Sequence, residues 1–375
     1  MTIGSQFWRW FYRAQRFADV PAVIELLRFR ELRRRYYDAL WARAAAEIGA
    51  RIETPQFGFT ALSRDGSTTY VKQDRLMLDS SVMLNLLGNK AMTYEVLARK
   101  GCPVPAHVVF SLEQFDAAAA FLERSGGPVV VKPVAGTGGG NGVTTGIRDL
   151  AALRAAARHA ARFDSKLLAE AEVAGHSYRL LYLEGRLVHA VRRDPPVVTG
   201  DGRRSIKALA AAETRRRLTG APFTALSPLR IDQEARNTLA AQRLDARKVL
   251  AAGQTVTVKK AVNQNAAPQN HTVTADVHAE TAAACAALVR DVGVQLAGID
   301  IISPDISRPL GENGGLIGEI NTTPGLHHHD LLADRPPVPS VAAQILDHMF
   351  RTGRGTMRLD RSFPHAQSKA PEHAA

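Results

Sequence analysis

The chain has 375 residues, 45% of them apolar, which is room for two or three compact domains with real cores. Its formal charge of +12 admits a nucleic-acid partner, but aromatics are only 6% and no zinc-finger, homeodomain or RNP-type pattern occurs, so the excess is better suited to focusing anionic substrates into a cleft. No run approaches the length of a membrane span, no signal-peptide pattern follows Met1, and two cysteines, Cys102 and Cys285, make neither a disulfide framework nor a metal spacing, so a cytoplasmic protein with buried, inert thiols is expected.

Residues 1–50 form a distinct basic segment. All three tryptophans (Trp8, Trp10, Trp41) lie here among Arg9, Arg13, Arg16, Arg28, Arg30 and Arg33–Arg35, with Ile24, Leu27, Leu32, Tyr36 and Leu40 at helical spacing. Two amphipathic helices broken near Pro21 fit this pattern, either as an appendage packed on the core or as a surface for a membrane or protein partner. Asp65-Gly66 marks a hairpin within Ile52–Ser81. Lys90–Lys100 reads as a helix closed by Gly101. Ser111 and Gln114 have capping-box spacing before a helix over Leu112–Ser125, which Gly126-Gly127 stops.

Further on, Pro128–Pro133 is a strand, Leu150–Phe163 a helix, and Lys166–Glu170 a strand leading to a hinge. Tyr178–Leu183 and Arg186–Arg192 make a hairpin about Glu184-Gly185. Helices are expected over Ser205–Leu218, Ile231–Gln242, Glu280–Val292 and Pro337–Phe350, with a strand over Gln254–Lys260. Some of the basic excess belongs to solvated helix faces such as Arg215–Arg217. The alternation of hairpins and flanking helices defines an α+β fold class. Residues 353–375 read as a disordered tail.

Two stretches carry chemistry. In Val129–Gly146 a β-branched strand ends in Lys132-Pro133 and runs into Gly136, Gly138, Gly139, Gly140 and Gly142, a loop able to bring bare N–H groups against phosphate oxygens. No Gly-Lys-Ser/Thr follows, so this is not a Walker A loop, and no ribose-binding acid makes it a Rossmann fingerprint. Taken alone, it is equally a flexible surface loop. In Ala297–Asp330 two short apolar strands carry Asp300 and Glu319, and Asn321 follows Glu319 by two residues, on the same face of a strand. An Asp, a Glu and an amide on adjacent strands make a hard-oxygen cluster of the kind that holds Mg²⁺ against phosphates; the alternative is two buried strands whose acids sit at loop mouths.

The order of these motifs resembles that of ATP-grasp enzymes: Lys90 in GNKAMTYEVLARKGCPVP, the Val129–Gly142 strand and lid, Glu170 in LLAEAEVAGHSYRLL, then Asp300, Glu319 and Asn321. Within that superfamily the segment YRLLYLEGRLVHAVRRDPPVVTGDGRRSI and the PDISRPLGENGG insertion are similar to the ATP-grasp domain of cyanophycin synthetases. The likeness covers about Tyr70–Leu332. It implies an ATP-grasp fold in which two α+β lobes clamp ATP, preceded by an N-terminal helical and α/β segment. The corresponding division is residues 1–50 as the basic appendage, 51–127 as a substrate or linker region with the first ATP-contacting lysine, 128–178 as the small lobe with the lid, and 179–352 as the large lobe with the Mg²⁺ site.

The resemblance also implies roles. Lys90 and Lys132 contact the nucleotide, Lys132 at a phosphate oxygen or the adenine edge. Gly138, Gly139, Gly140 and Gly142 form the lid. Glu170 and the hinge after it meet adenine, and Ser177, where the family usually places an acid, faces the ribose with Glu172 as a substitute. Arg179 and Arg193 are the catalytic arginines facing the γ-phosphate or acyl-phosphate, with a strand-end surface position as the alternative for Arg193. Asp300, Glu319 and Asn321 hold one or two Mg²⁺ ions, or Mn²⁺ in their place. His327–His329 with Asp330 read as a polar loop near the substrate, since consecutive loop residues rarely point at one ion, and one histidine can assist amine deprotonation.

The chain departs from cyanophycin synthetases in a longer lid without basic residues and in Ala267-Pro268 where relatives carry paired glycines; no Mur-ligase-like domain is expected after the ATP-grasp part, and their N-terminal domain is expected to be absent or replaced. The implied activity is an ATP-dependent carboxylate–amine ligase that forms a peptide-like amide through an acyl-phosphate and releases ADP and phosphate. A phosphotransferase using the same clamp and a non-catalytic nucleotide-binding scaffold are the alternatives. Amino-acid or peptide substrates, a homo-oligomer, and a membrane or protein contact through residues 1–50 are the expected partners; nucleic acid is not.

Overall fold

The structure, a computed structural model, describes residues 20–135, 141–334 and 336–359. Helix α1 (Val20–Glu47) is continuous over 28 residues, with Pro21 in its first turn, where a missing N–H costs nothing. Its buried stripe is Phe29, Leu32, Tyr36, Tyr37, Leu40, Trp41 and Ala44, steps of three and four residues along one face. Ile24 and Leu27 do not share it: they are 47% and 57% exposed, because each stands five residues before a buried one (Phe29, Leu32), about 140° round the helix from it. The Trp41 indole donates to the Gln73 carbonyl at 2.8 Å, so this helix is built into the core. Trp8, Trp10, Arg9, Arg13 and Arg16 lie outside the described residues.

A three-stranded sheet follows, β1 (Arg51–Ile52), β2 (Thr60–Arg64) and β3 (Ser67–Val71), its hairpin turned by Asp65 and Gly66, both at positive φ. Helices α2 (Ser81–Leu87) and α3 (Lys90–Arg99) come next, α3 capped by the Asn89 side chain on the Met92 N–H. The next sheet, in the order β4 (His107–Phe110), β7 (Leu167–Ala171), β5 (Val129–Pro133), β6 (Thr144–Ile147), packs on α4 (Phe115–Ser125) and α5 (Leu150–Ala160). The expected capping box at Ser111 does not form. Leu112–Gln114 is a 3₁₀ turn, and Ser111 Oγ reaches the Gln114 side chain instead of a backbone N–H.

The third sheet carries the site. Its order is β12 (Asn270–Thr272), β9 (Arg186–Arg193), β8 (His176–Leu183), β13 (Leu296–Ser303), β14 (Leu316–Asn321), all antiparallel neighbours. Alternation along β8 sends Tyr178, Leu180 and Tyr182 into a core with α8 (Ala279–Val292) and α3, and Leu181 and Leu183 into a core with α1 and α9 (Val341–Thr352). Burying a hydrophobic side chain is worth about 1.5–3 kcal/mol, so the two cores pin the register. A smaller unit, β10 (Val197–Thr199) and β11 (Thr255–Thr257) with α6 (Ile206–Thr219) and α7 (Gln233–Ala241), has its own core of Val198, Ile206, Leu209, Leu239 and Val256. The strand expected over Gln254–Lys260 is thus three residues long, and the last helix starts at Val341, where Ser340 caps it, rather than at Pro337.

Candidate active site

Cross-strand register assembles the polar face. Arg179 pairs with Asp300, Asp300 with Glu319, Gly298 with Asn321, and Ser177 with Arg193. Directly opposed residues of antiparallel strands share a face, so these side chains converge. A bulge sharpens the arrangement. Asp300 opposes Glu319 but Ile301 opposes Ile317, leaving Gly318 as the extra residue. Strict alternation would aim Ile317 and Glu319 the same way; the bulge sends Ile317 into the core beneath and leaves Glu319 beside Asp300.

Every carboxylate of this face is held by cations. Arg179 grips Asp300 with two parallel bonds, Nε to Oδ1 and Nη2 to Oδ2, the latter at 2.8 Å, and Arg193 Nη2 lies 3.2 Å from Oδ2. Burial alone would raise the Asp300 carboxyl, but the two guanidiniums outweigh it and hold it below the usual carboxylate range. Glu319 is half-buried. Lys90 Nζ at 3.2 Å is the foremost charge that brings its carboxyl below the usual range, against the repulsion of Asp300. Asn321 Nδ2 donates to the Gly298 carbonyl at 3.3 Å and sits 3.5 Å from Glu319 Oε2.

Across from this face lies a second cluster. Lys132 Nζ is 2.7 Å from Glu170 Oε1 and donates to the Tyr94 hydroxyl at 3.1 Å, while that hydroxyl donates to Glu170 Oε2 at 2.7 Å. Helix α3 joins the two clusters, since Lys90 and Tyr94 are one turn apart on it and the Lys90 N–H donates to the Val134 carbonyl at 2.9 Å. Tyr94 was not singled out by motif; its spacing from Lys90 was the available signal. Glu172 is bound by Lys260 Nζ at 2.8 Å and by the Gly146 N–H, and Ser177 Oγ accepts from Arg193 Nη2 at 2.9 Å.

Placement therefore modifies several expectations. Lys90, Lys132, Glu170, Arg179, Arg193, Asp300, Glu319 and Asn321 come together. Arg179 and Arg193, expected to face phosphate, are engaged by Asp300 because β8 and β9 put them in register with it. Ser177 joins the same face, whereas Glu172 is turned to Lys260. Gly142, at φ +80°, closes against Pro133 and Phe163, where a Cβ would approach Phe163 to 2.7 Å. Gly138, Gly139 and Gly140 lie outside the described residues.

His327–His329 form a short 3₁₀ turn, with Tyr37 Oη 3.1 Å from His327 Nδ1 and His329 paired with His189. Burial keeps all three imidazoles well below their ordinary value. Among the described residues no group of three or more His, Cys, Asp and Glu side chains is arranged to hold a metal. Of the two thiols expected to be buried, Cys285 is, and burial pushes it up to about 12, whereas Cys102 is only half-buried. A cavity of 660 Å³, lined by Phe57, Phe59, Tyr70, Lys72, Arg75 and Met77, lies on the three-stranded sheet and has none of these carboxylates in its wall.

No family model matches the chain. The solved bifunctional glutathione synthetase from Pasteurella multocida superposes with a TM-score of 0.50 at 22% identity, covering 81% of this chain and 42% of that one, a likeness of fold. The chain has the ATP-grasp fold and belongs to the ATP-grasp superfamily. Within it, the sequence is 30% identical over 294 residues to cyanophycin synthetase of Synechocystis sp., covering 76% of this chain and 33% of that protein. It is 28% identical to the bifunctional glutathione biosynthesis protein of Mannheimia succiniciproducens, covering 69% and 35%. The chain thus spans about a third of the length of these curated relatives.

Proposed function

We propose that the chain is an ATP-dependent carboxylate–amine ligase that makes a peptide-like amide through an acyl-phosphate, with amino acids or short peptides as substrates. The observation that carries this reading is the convergence of four cations, Lys90, Lys132, Arg179 and Arg193, and three carboxylates, Glu170, Asp300 and Glu319, on one cleft between two sheets. Relatives named as cyanophycin and glutathione synthetases support it.

Asp300, Glu319 and Asn321 fit a magnesium site: two half-buried carboxyls kept ionised by neighbouring cations and an amide, all hard oxygen donors on neighbouring strands. When bound there, Mg²⁺ would neutralise phosphate charge. The chain's own residues do the rest. Lys90 and Lys132 bind the nucleotide's anionic groups, and the ion pairs they now make with Glu319 and Glu170 are exchanged for phosphate. Arg179 and Arg193, each with a planar fork, steady the charge that develops on the transferred phosphoryl group. A free carboxylate is a poor electrophile; phosphorylated, it has a good leaving group. Excluding water from the cleft then protects the intermediate until an amine attacks.

Trapping tests the reading. With Mg-ATP, a pool of the twenty amino acids and hydroxylamine, the ligase forms amino-acid hydroxamates and ADP together. ADP with a stable phosphorylated product and no hydroxamate would instead indicate a phosphotransferase.

A further inference from the structure

His189 on β9 and His329 in the 3₁₀ turn meet Nδ1 to Nδ1 at 3.0 Å, and both are nearly fully buried, at 2% and 1% exposure. Two neutral imidazoles in such a contact share one proton: one Nδ1 donates and the other accepts, so the rings carry opposite tautomers. Their outer nitrogens differ. His189 Nε2 is 3.5 Å from Thr272 Oγ1, and the Thr272 N–H is 3.2 Å from the exposed Asp334 carboxylate. His329 Nε2 is buried with no hydrogen-bond partner. A buried polar atom left open calls for a reason.

The location supplies one. Pro324 leads into the histidine turn and packs where a Cβ on Gly298 would touch both it and Arg179, so the turn folds back beside the carboxylate face. His189 lies opposite Leu181 in the register that puts Arg179 two residues away on β8.

We propose that His329 and His189 form a proton relay that carries the proton released during amide formation from the cleft to the surface at Thr272 and Asp334. This rests on the ligase reading. The amine lone pair forms the C–N bond, the carbonyl pair moves to oxygen, and its return expels phosphate with the C–O bonding pair. The nitrogen's surplus proton passes to the His329 Nε2 lone pair, the His329 Nδ1 proton to His189 Nδ1, and the His189 Nε2 proton through the Thr272 hydroxyl to Asp334 or water. One proton enters and one leaves, and no electrons are exchanged with a cofactor. Ring rotation or solvent exchange restores the tautomers between turnovers.

The charged and titratable groups acting on the pair are His327, His328, Arg179 and Arg193 at His329 and Asp334 at His189; farther along the turn, Arg33 and Tyr37 of α1 face His327, and Tyr36 and Arg43 bind Asp330. Burial first, then neighbouring imidazoles and arginines, keeps His329 uncharged, and burial brings His189 down to about 4. Positive charge therefore passes through the pair and does not rest on it.

The test compares two nucleophiles in the full chain, using Mg-ATP and the twenty-amino-acid pool. Hydroxylamine gives an acidic adduct that loses its proton to water, whereas amino-acid amines need a base. His329→Gln and His189→Gln are expected to lose amide products by on the order of 10²-fold while hydroxamate falls by about threefold at most, and residual amide formation should climb with pH. Equal loss of both products, or an unchanged amide rate, would overturn the relay. If the wild-type chain makes no hydroxamate, the ligase reading fails, and imidazole ¹⁵N NMR still decides the pair: opposite tautomers with coupling across the Nδ1–Nδ1 bond support it, and identical tautomers overturn it.

Discussion

Asp300 and Glu319 stand directly opposite each other on β13 and β14, and the bulge at Gly318 is what lets both face the cleft while Ile317 enters the core. Two like charges so placed repel, and each is stabilised by a different partner, Asp300 by Arg179 and Arg193, Glu319 by Lys90. Two carboxylates thus face three cations, and the cluster carries a net positive charge.

Removing one member leaves its partners uncompensated. Asp300→Asn should destabilise the fold by about 3–5 kcal/mol, because two buried guanidiniums lose their anion. Denaturant titration reads this directly, and a loss under 1 kcal/mol, the range of a surface pair, would contradict it.

Tyr94→Phe takes the hydroxyl from between Lys132 and Glu170 without changing the ring's fit. The expected cost is about 1–2 kcal/mol in stability, with an additional rise in the KM for ATP as Lys132 loses its positioning. An unaltered KM would mean that Tyr94 serves packing alone.

Glu234 on α7 ties β6 to the small unit: it accepts from the Thr145 N–H at 2.7 Å and hydroxyl at 2.8 Å, and from the Lys260 and Ala261 N–H groups at 3.3 Å. Glu234→Ala leaves several part-buried donors open, at about 1–3 kcal/mol each for those that water cannot reach. Amide hydrogen exchange should accelerate at Thr145 and Ala261 first, ahead of the five-stranded sheet. Uniform acceleration would argue against a local tie.

Acidity should act through the buried histidines, His189 among them. Its imidazole is brought down to about 4 by burial, against an ordinary value of 6.5, so the unfolded chain binds the proton more readily. Stability from this group is complete above about pH 6.5 and is lost as pH falls toward 4, on the order of 3 kcal/mol in all. Asp300 and Glu319, depressed in the folded state, add a loss only at lower pH, through and below the ordinary carboxylate range. Tm measured from pH 7 to 4 should fall less steeply in His189→Gln; parallel curves would contradict the assignment.

Much of this was legible in the sequence where the signal is local. Glu184-Gly185 and Asp65-Gly66 announced their hairpins because their positive φ values suit few residues, and Asp300, Glu319 and Asn321 were found from strand periodicity. The bulge at Gly318 was not, because an unpaired residue leaves no mark in alternation. Helix α1 showed its spacing, but which stripe is buried depends on α9 and the sheet, so Ile24 and Leu27 were misplaced. The pairing of Arg179 with Asp300, 121 residues apart, and of His189 with His329, 140 apart, arises only from register.

The central claim, a magnesium-dependent nucleotide clamp at Asp300 and Glu319, is tested most directly by calorimetric titration with a non-hydrolysable ATP analogue. The account predicts binding that requires Mg²⁺ and is abolished in Glu319→Ala protein that still folds. Binding that ignores both the metal and that substitution, or no binding by the wild-type chain, would contradict it.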